Sequence, residues 1–532
     1  MHEQNHLHDF FFCRLVPSHG SAFRALNRKS CPPKYQDIGA PTAHLYTAKI
    51  SQGAVDHKND ILVPLQLSHR LLSAIVLSKS TQGLEMRSFF FVLALLATVS
   101  AVSIDVNDKD SICKAASYVV NGELNYYEGL KPGGTVGMFS PPNYWWNAGE
   151  AFGGLLDYFT FCDSGNKSLE KLIFNGMYHQ AGDQYNYIPS NQSLTEGNDD
   201  QGVWGMAIIA AAERNFTDPE HSWLSMAQAI YNTMNSRWDT KYCGGGLRWQ
   251  IFTWNSGYNY KNSISNGCLF HISARLARYL NNDTYAKTAE KVWNWMEEVF
   301  FHEDDGELVI YDGAPIDDNC TDHTTLKWSY TYGIFMSGAA YMYNYTEDTV
   351  WKTRVEEIWN VASYFFDDNK IMQETQCWNG GNPKCNNDQR SFRSLFSRSI
   401  QLTSVMVPDM YDEMRPYVEA SAEGAAKNCD GGSDGITCGE NWATSTWDGV
   451  YGLGEQQCAL EIMMALLARD VDPPYTAKHG GSSKSQPNAG INSQDNVNEN
   501  ELKITGKDKA GAGVLTAIVL AIMLGGAVWM LF

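Results

Sequence analysis

Basic residues are scarce in this chain of 532, with 40 Lys and Arg set against 60 Asp and Glu for a formal net charge of −20. That balance leaves no positive footprint for a phosphate backbone, so nucleic acid is set aside as a partner. Charged residues of either sign make up only 19% of the chain and apolar ones 44%, an ordinary globular composition with ample material for a large core. Other absences narrow the chemistry. There is no glycine loop of the phosphate-cradling kind, and no pair of cysteines has the CxxC spacing of a metal site. Asp199-Asp200 lacks the last carboxylate of a DDxxD magnesium motif, because Val203 stands in its place. Asp304-Asp305-Gly306 and Asp317-Asp318 lack EF-hand spacing and read as solvated turns. No metal and no cofactor are expected.

Both ends carry segments that read as targeting signals and are not part of the folded domain. From Met86, one Arg is followed by an apolar run from Phe89 to Val99 and then by small residues suited to cleavage after Ala101 or Ser103. This is a secretory signal peptide over 86–103; the competing reading, a signal anchor, needs about 20 apolar residues. Residues 1–85 then form an extension outside the mature protein, from a start assigned too far upstream or as a disordered or cytosolic arm. At the other end, Gly511 to Phe532 is an uncharged apolar tail behind a polar spacer, Lys507 to Ala510. With the small residue Gly506 before it, this reads as a GPI signal over 507–532, attaching the chain to the membrane at Gly506. Asn498 and Asn500 are further candidates for attachment, and an uncleaved membrane helix is the alternative.

Ten cysteines remain once Cys13 and Cys31 are set aside. An even number in an oxidising compartment predicts five disulfides, of which Cys377–Cys385 and Cys429–Cys438 close short glycine-rich loops; the other six cysteines leave their connectivity open. Sequons at Asn166, Asn191, Asn215, Asn282, Asn319 and Asn344 fit the same route.

Between 104 and 475 no low-complexity break occurs, which predicts one domain; 476–506 turns polar and reads as a stalk. Helical spacing of apolar residues predicts helices over 207–214, 221–236, 286–301, 335–343, 350–366 and 456–469, with Val350, Trp351, Val355, Ile358, Trp359, Ala362 and Phe365 as one stripe. Few stretches alternate like a half-buried strand. An aromatic, Gly- or Asn-bearing loop followed by a small-residue helix recurs near Trp146, Asp200, Asn262, Trp328, Ser391 and Gly449, at intervals of 54, 62, 66, 63 and 58 residues. Each interval holds two helices and their loops, so six units predict an all-α (α/α)6 toroid, with an open α-solenoid as the alternative. Small residues such as Gly202, Gly205, Ala207 and Ala211 allow an inner helix to pack closely, with its N-terminal end opening on a central cleft.

The sharpest segment is Thr195 to Gly205, TEGNDDQGVWG, which leads into a helix. Acidic residues in a first turn are common as simple dipole complements. Two adjacent carboxylates at a helix start also suit a glycosidase: the dipole keeps one ionised as a nucleophile, and its neighbour, resisting a second charge, stays protonated as an acid. Retaining glycosidases place such groups about 5 Å apart. Aromatic residues are plentiful, with 16 Trp and 27 Tyr, and several cluster with polar residues in the predicted cleft loops. Aromatic faces meet the C–H faces of sugars while amides and cations meet hydroxyls, so the candidate sugar-binding residues are Trp145, Trp146, Asn147, Trp204, Arg248, Trp249, Tyr260, Asn262, Lys327, Trp328, Tyr330 and Arg390. Core packing is the plain alternative for each Trp, and ion pairing for each Arg.

GNDDQGVWG, YNYKNSISNGCLFHISARLARYL, LKWSYTYG and GLGEQQCALE, with the signal peptide and tail, resemble fungal members of glycoside hydrolase family 76, the mannan endo-1,6-α-mannosidases. The resemblance runs from about Ile104 to the C-terminus. It implies an (α/α)6 fold, retention of anomeric configuration, no metal requirement, Asp199 as nucleophile and Asp200 as general acid/base. It also implies a role in wall assembly, by trimming mannan or GPI-linked mannose glycans or by transferring them onto wall glucan as acceptor. A non-catalytic, GPI-anchored, mannan-binding wall module is the alternative.

Overall fold

The computed structural model describes residues 102–377, 385–491 and 506–529. The expected N-terminal extension, nearly all of the signal peptide and the later part of the expected stalk lie outside these residues.

Twelve α-helices are described between Lys109 and Ala465. They alternate between an outer and an inner set: α1 (Lys109–Leu124), α2 (Trp145–Cys162), α3 (Lys167–His179), α4 (Asn198–Glu213), α5 (Trp223–Ser236), α6 (Ser263–Leu280), α7 (Asp283–Val299), α8 (Ser329–Thr346), α9 (Thr349–Ala362), α10 (Asn387–Met406), α11 (Tyr411–Asn428) and α12 (Leu453–Ala465). The even-numbered helices pack each on the next, and α12 returns to α2. This closes a six-membered ring of inner helices backed by outer ones, the (α/α)6 toroid, and removes the open solenoid. Their starts fall within a few residues of the six sequence landmarks. Two short antiparallel pairs join the ring: β1 (Tyr260–Asn262) with β4 (Gly313–Pro315), and the hairpin of β2 (Phe301–Asp304) with β3 (Glu307–Ile310).

Inner and outer helices differ in sequence for a physical reason. α7 and α9 bury one stripe and read clearly as amphipathic, although Val350 at the start of the α9 stripe is exposed. The inner helix α2 buries almost every residue, so no polar face marks its period, and only the landmark at Trp146 announces it. Small residues bring the inner helices together as expected: a Cβ on Gly202 would strike Cys268, and one on Gly205 would strike Ile272.

Four disulfides are present among the described residues, and the expectation of five from the ten cysteines there is corrected. Cys377–Cys385 and Cys429–Cys438 form as read, while Cys113–Cys162 ties α1 to the end of α2 and Cys243–Cys320 ties two loops. Among the described residues Cys268 and Cys458 are buried thiols on inner helices, where a small apolar side chain fills the space between closely packed backbones.

The stretch expected to begin a stalk is docked as far as Ile491. It runs along α5 toward that helix's C-terminus: Ser222 Oγ donates to Lys484 O at 2.5 Å, Gln228 Oε1 accepts from Gln486 N at 2.6 Å, and Asn232 Nδ2 donates to Pro487 O at 2.9 Å and Ala489 O at 2.8 Å. The strap also occupies one sequon. Asn215 Nδ2 donates to Gly480 O at 2.8 Å and Asn215 Oδ1 accepts from Ser482 N at 2.9 Å, so the docked strap engages both ends of this amide; the other five sequon asparagines are exposed. Asn232→Ala removes two of the strap's bonds, at about 1 kcal/mol each. Limited trypsinolysis after the exposed Lys484 is expected to accelerate by roughly thirtyfold, with helical circular dichroism unchanged; an unaltered rate would mean that other contacts hold the strap.

At the C-terminus Gly506–Trp529 forms one helix, α13. Among the described residues no helix is long and apolar enough to cross a membrane.

Candidate active site

Gly197 precedes α4, placing Asp199 and Asp200 in its first turn, where backbone N–H groups have no intrahelical acceptor. Asp200 Oδ2 accepts from Gly197 N at 2.6 Å and Asp199 Oδ1 from Asp200 N at 3.1 Å. Asn262, the residue before α6, caps that helix through Oδ1 and donates Nδ2 to Asp199 Oδ2 at 3.3 Å. Glycine is needed at 197 for room: a Cβ there would collide with Asp199 Oδ1 and stand 2.8 Å from Asp200 Oδ2.

Both carboxyl groups remain partly open to solvent at the mouth but are enclosed by protein on most sides. Burial pushes Asp199 up to about 6, against hydrogen bonds that favour its ionised form. Asp200 is held well above the ordinary carboxylate range, first by burial and then by the charge of Asp199, to which its own carboxyl hydrogen-bonds. The pair therefore shares a proton at neutral pH, with Asp199 the ionised member.

A third carboxylate adds to this. Asp388, in the first turn of α10, raises Asp200 further, as expected of a helix three places round the ring and so across its axis. It is buried, lifted to about 6 by that burial and hydrogen-bonded by Trp146. Sequence reasoning missed Asp388, yet a signal existed: Asn386-Asn387-Asp388-Gln389 repeats Asn198-Asp199-Asp200-Gln201 at the opposite landmark. A fourth, Asp312, also missed, accepts from Tyr260 Oη at 3.0 Å and from the Trp328 indole; burial lifts it to about 6. Strand β1 against β4 brings it there, with Ser263 N donating to Asp312 O at 2.8 Å.

The predicted sugar-binding residues divide. Trp146, Tyr260, Asn262, Trp328 and Tyr330 stand around the carboxylates; Tyr330 stacks on Phe392 at 3.8 Å between ring centroids, and Trp328 and Trp146 flank the same ring. Trp249 lines the near wall, its carbonyl accepting from Asn198 N at 2.8 Å. Trp204 is corrected: it is fully buried, packed against Trp145, Phe152 and Tyr187, with its indole on Trp145 O at 3.1 Å. Trp145 is likewise core, donating to Gln180 Oε1 at 2.9 Å. Buried Asn147 holds the start of α2, accepting from Tyr144 N at 2.9 Å. Arg390 pairs with Glu455 at 3.2 Å, and Lys327 lies over the Tyr364 ring at 4.3 Å. Arg248 lines a separate cavity beside the pair. Among the described residues no group of His, Cys, Asp and Glu side chains has the arrangement of a metal site.

A family model described as glycosyl hydrolase family 76 matches residues 111–478. The protein named mannan endo-1,6-alpha-mannosidase DFG5 of Candida albicans is 66% identical over 454 residues, covering 85% of this chain and 100% of its own length. That of Saccharomyces cerevisiae with the same name is 51% identical over 449 residues, covering 83% and 97%. Of solved structures, Dfg5 from Chaetomium thermophilum in complex with glucosamine is similar with a TM-score of 0.70 at 35% identity, over 74% of this chain and 99% of that one.

Proposed function

We propose that this chain, which belongs to glycosyl hydrolase family 76, is a retaining endo-α-1,6-mannosidase of the fungal cell wall with Asp199 as nucleophile and Asp200 as general acid/base. The observation that carries the residue roles is the adjacent carboxyl pair in the first turn of α4, where burial raises both acids and the charge of Asp199 raises Asp200 further. In the first step the Asp199 carboxylate forms a bond to the anomeric carbon as the glycosidic C–O bond breaks, and the Asp200 proton passes to the leaving oxygen. In the second, the Asp200 carboxylate takes a proton from an incoming O–H, whose oxygen displaces Asp199 from the sugar. Water as acceptor gives hydrolysis, and a wall-glucan hydroxyl gives transfer. A module that merely binds mannan has no use for two buried acids that repel one another, which favours the enzyme. Relatives named mannan endo-1,6-alpha-mannosidase support mannan as substrate, and the polar spacer with its apolar tail supports GPI attachment at the outer face of the plasma membrane.

The direct test is to incubate residues 104–491, which keep the docked strap, with α-1,6-mannooligosaccharides, with and without a glucan acceptor, and to read products by mass spectrometry. Shorter oligosaccharides are expected, and hybrid products as well if a glucan serves as acceptor. Binding with no product under either condition would leave the binding module as the better reading.

A further inference from the structure

Beside the start of α4 lies a polar cavity of about 460 Å³, lined by residues that include Asn198, Arg237, Asp239, Lys241, Arg248 and Tyr258. Its charge is opposite to that of the molecule. Three cations line it against one carboxylate, Asp239, and that carboxylate is shared by Arg248 at 2.9 Å and by a fourth cation, Lys261, at 3.7 Å. In a chain of net charge −20, such a concave positive site concentrates anions.

The cations are placed by structure. Lys261 is buried and donates to Asp239 O and Tyr242 O, each at 2.8 Å, and to Gly245 O at 2.5 Å, which pins the loop 239–245. Arg248 donates to Tyr258 O and Asn259 Oδ1 at 3.1 Å and lies over the Tyr258 ring at 4.4 Å. Arg237 Nε donates to Asn198 Oδ1 at 2.8 Å. Lys241, on the rim, is exposed with its ammonium 5.1 Å from the Tyr242 ring centroid, and among the described residues it has no carboxylate at ion-pair distance. Asn198 belongs to the cavity wall and immediately precedes Asp199, so the cavity adjoins the first turn of α4 that carries the carboxyl pair.

We propose that this cavity is a subsite for a phosphate ester carried on a mannose next to the bond that is cleaved. The size suits a small-molecule pocket, and Arg and Lys donors on a rigid loop suit a group with several acceptor oxygens. The substrate is then a phosphorylated mannan or glycan, distinguished from its neutral counterpart at this wall. The sugar part of this assignment rests on the mannosidase reading; the phosphate part rests on the cavity alone.

The test is calorimetry on residues 104–491 at pH 7 with three probes: methyl α-mannoside, mannose 6-phosphate, and a methyl phosphodiester of mannose that separates diester from monoester sources. Two charge-assisted contacts are expected to give at least one of the phosphorylated probes an affinity at least about tenfold above methyl α-mannoside, with the gain lost at 0.5 M salt as screening sets in (~1 M gives a Debye length of about 3 Å). Lys241→Ala is expected to cut that preference severalfold, Lys241→Glu to abolish it, and Lys241→Arg to keep it. Equal affinities for all three probes, or a preference that survives Lys241→Glu, would overturn the proposal. Because the readout is binding, a failure of catalysis leaves this result standing and the two readings stay distinguishable.

Discussion

Asp199→Asn and Asp200→Asn are each expected to abolish turnover of α-1,6-mannooligosaccharide without unfolding the protein. For Asp200 the loss should reach the roughly 10²–10⁴-fold that a positioned acid/base supplies; for Asp199 it should be larger, since no covalent route remains. Folding survives because an asparagine oxygen can still accept from Gly197 N or from Asp200 N, so the first turn of α4 keeps its caps. The substitutions also relieve repulsion. Asp199 titrates at about 6 in the fold, above its ordinary 3.8, so whatever stability it contributes is complete below the lower value and is lost as pH rises through about 6. At pH 7 each variant should therefore unfold at the same temperature as the native protein or higher. The rate profile separates the roles: kcat/KM of the native enzyme should rise with pH as Asp199 ionises and fall at higher pH as Asp200 loses its proton, both limbs belonging to the coupled pair. In Asp200→Asn, assayed on a substrate with an activated leaving group, the alkaline limb should disappear. Full activity in either variant would refute the assignment.

What could be read from the sequence follows from where polarity contrasts with burial. The six landmarks located the inner helices because each begins at a loop of aromatic and amide residues that faces the cleft, and this places chemistry at helix starts whatever the helix body looks like. The bodies themselves were harder. α2 and α6 are buried on nearly all faces, so their periodicity carries no sign, whereas α7 and α9 with one wet side were legible. The same principle explains the site. Asp199 and Asp200 were visible as a doublet, and Asn262 as an amide at a landmark; Asp388 is a single acidic residue marked only by a partial repeat of the Asn198–Gln201 segment, and Asp312 is a single acidic residue indistinguishable by type from a solvated one until β1 against β4 brings it to Tyr260 and Trp328. Trp145 and Trp204 misled for the converse reason. They lie in or beside cleft-facing motifs, but a tryptophan in the first two turns of an inner helix points into the groove or into the neighbouring helix according to its angle round the axis, and at these two positions the neighbour wins. The docked strap was illegible because Gly, Ser and Asn are as suitable for backbone-mediated docking along a helix as for a solvated linker; composition does not separate the two.

Below the cleft, on the inner helices, the ring is filled by charge, which makes Arg398→Met the most damaging single substitution expected outside the site. Arg398 on α10 donates to Glu150 O at 2.9 Å and pairs with Glu461 on α12. Its guanidinium fills the space against Gly153. Three buried acids depend on that cation: burial raises Glu123 well above its ordinary value, Glu150 to about 8 and Glu461 to about 7, and in each case Arg398 opposes the rise. Methionine retains much of the volume but leaves the acids uncompensated, a loss of about 3–5 kcal/mol by analogy with broken buried pairs. The size of the loss should depend on pH. All three acids have folded values above their ordinary 4.5, so the stability they contribute is complete below 4.5 and declines as pH rises, through about 7 for Glu461 and about 8 for Glu150. Without Arg398 their folded values climb further, and the variant pays for every step toward ionisation that the native protein partly offsets. Urea denaturation at pH 5 and pH 8 is expected to show native stability falling between the two and the deficit of Arg398→Met growing over the same interval, narrowing at pH 5 where the acids are protonated in both proteins. An equal deficit at the two pH values would mean that Arg398 acts through packing against Gly153 and not through its charge.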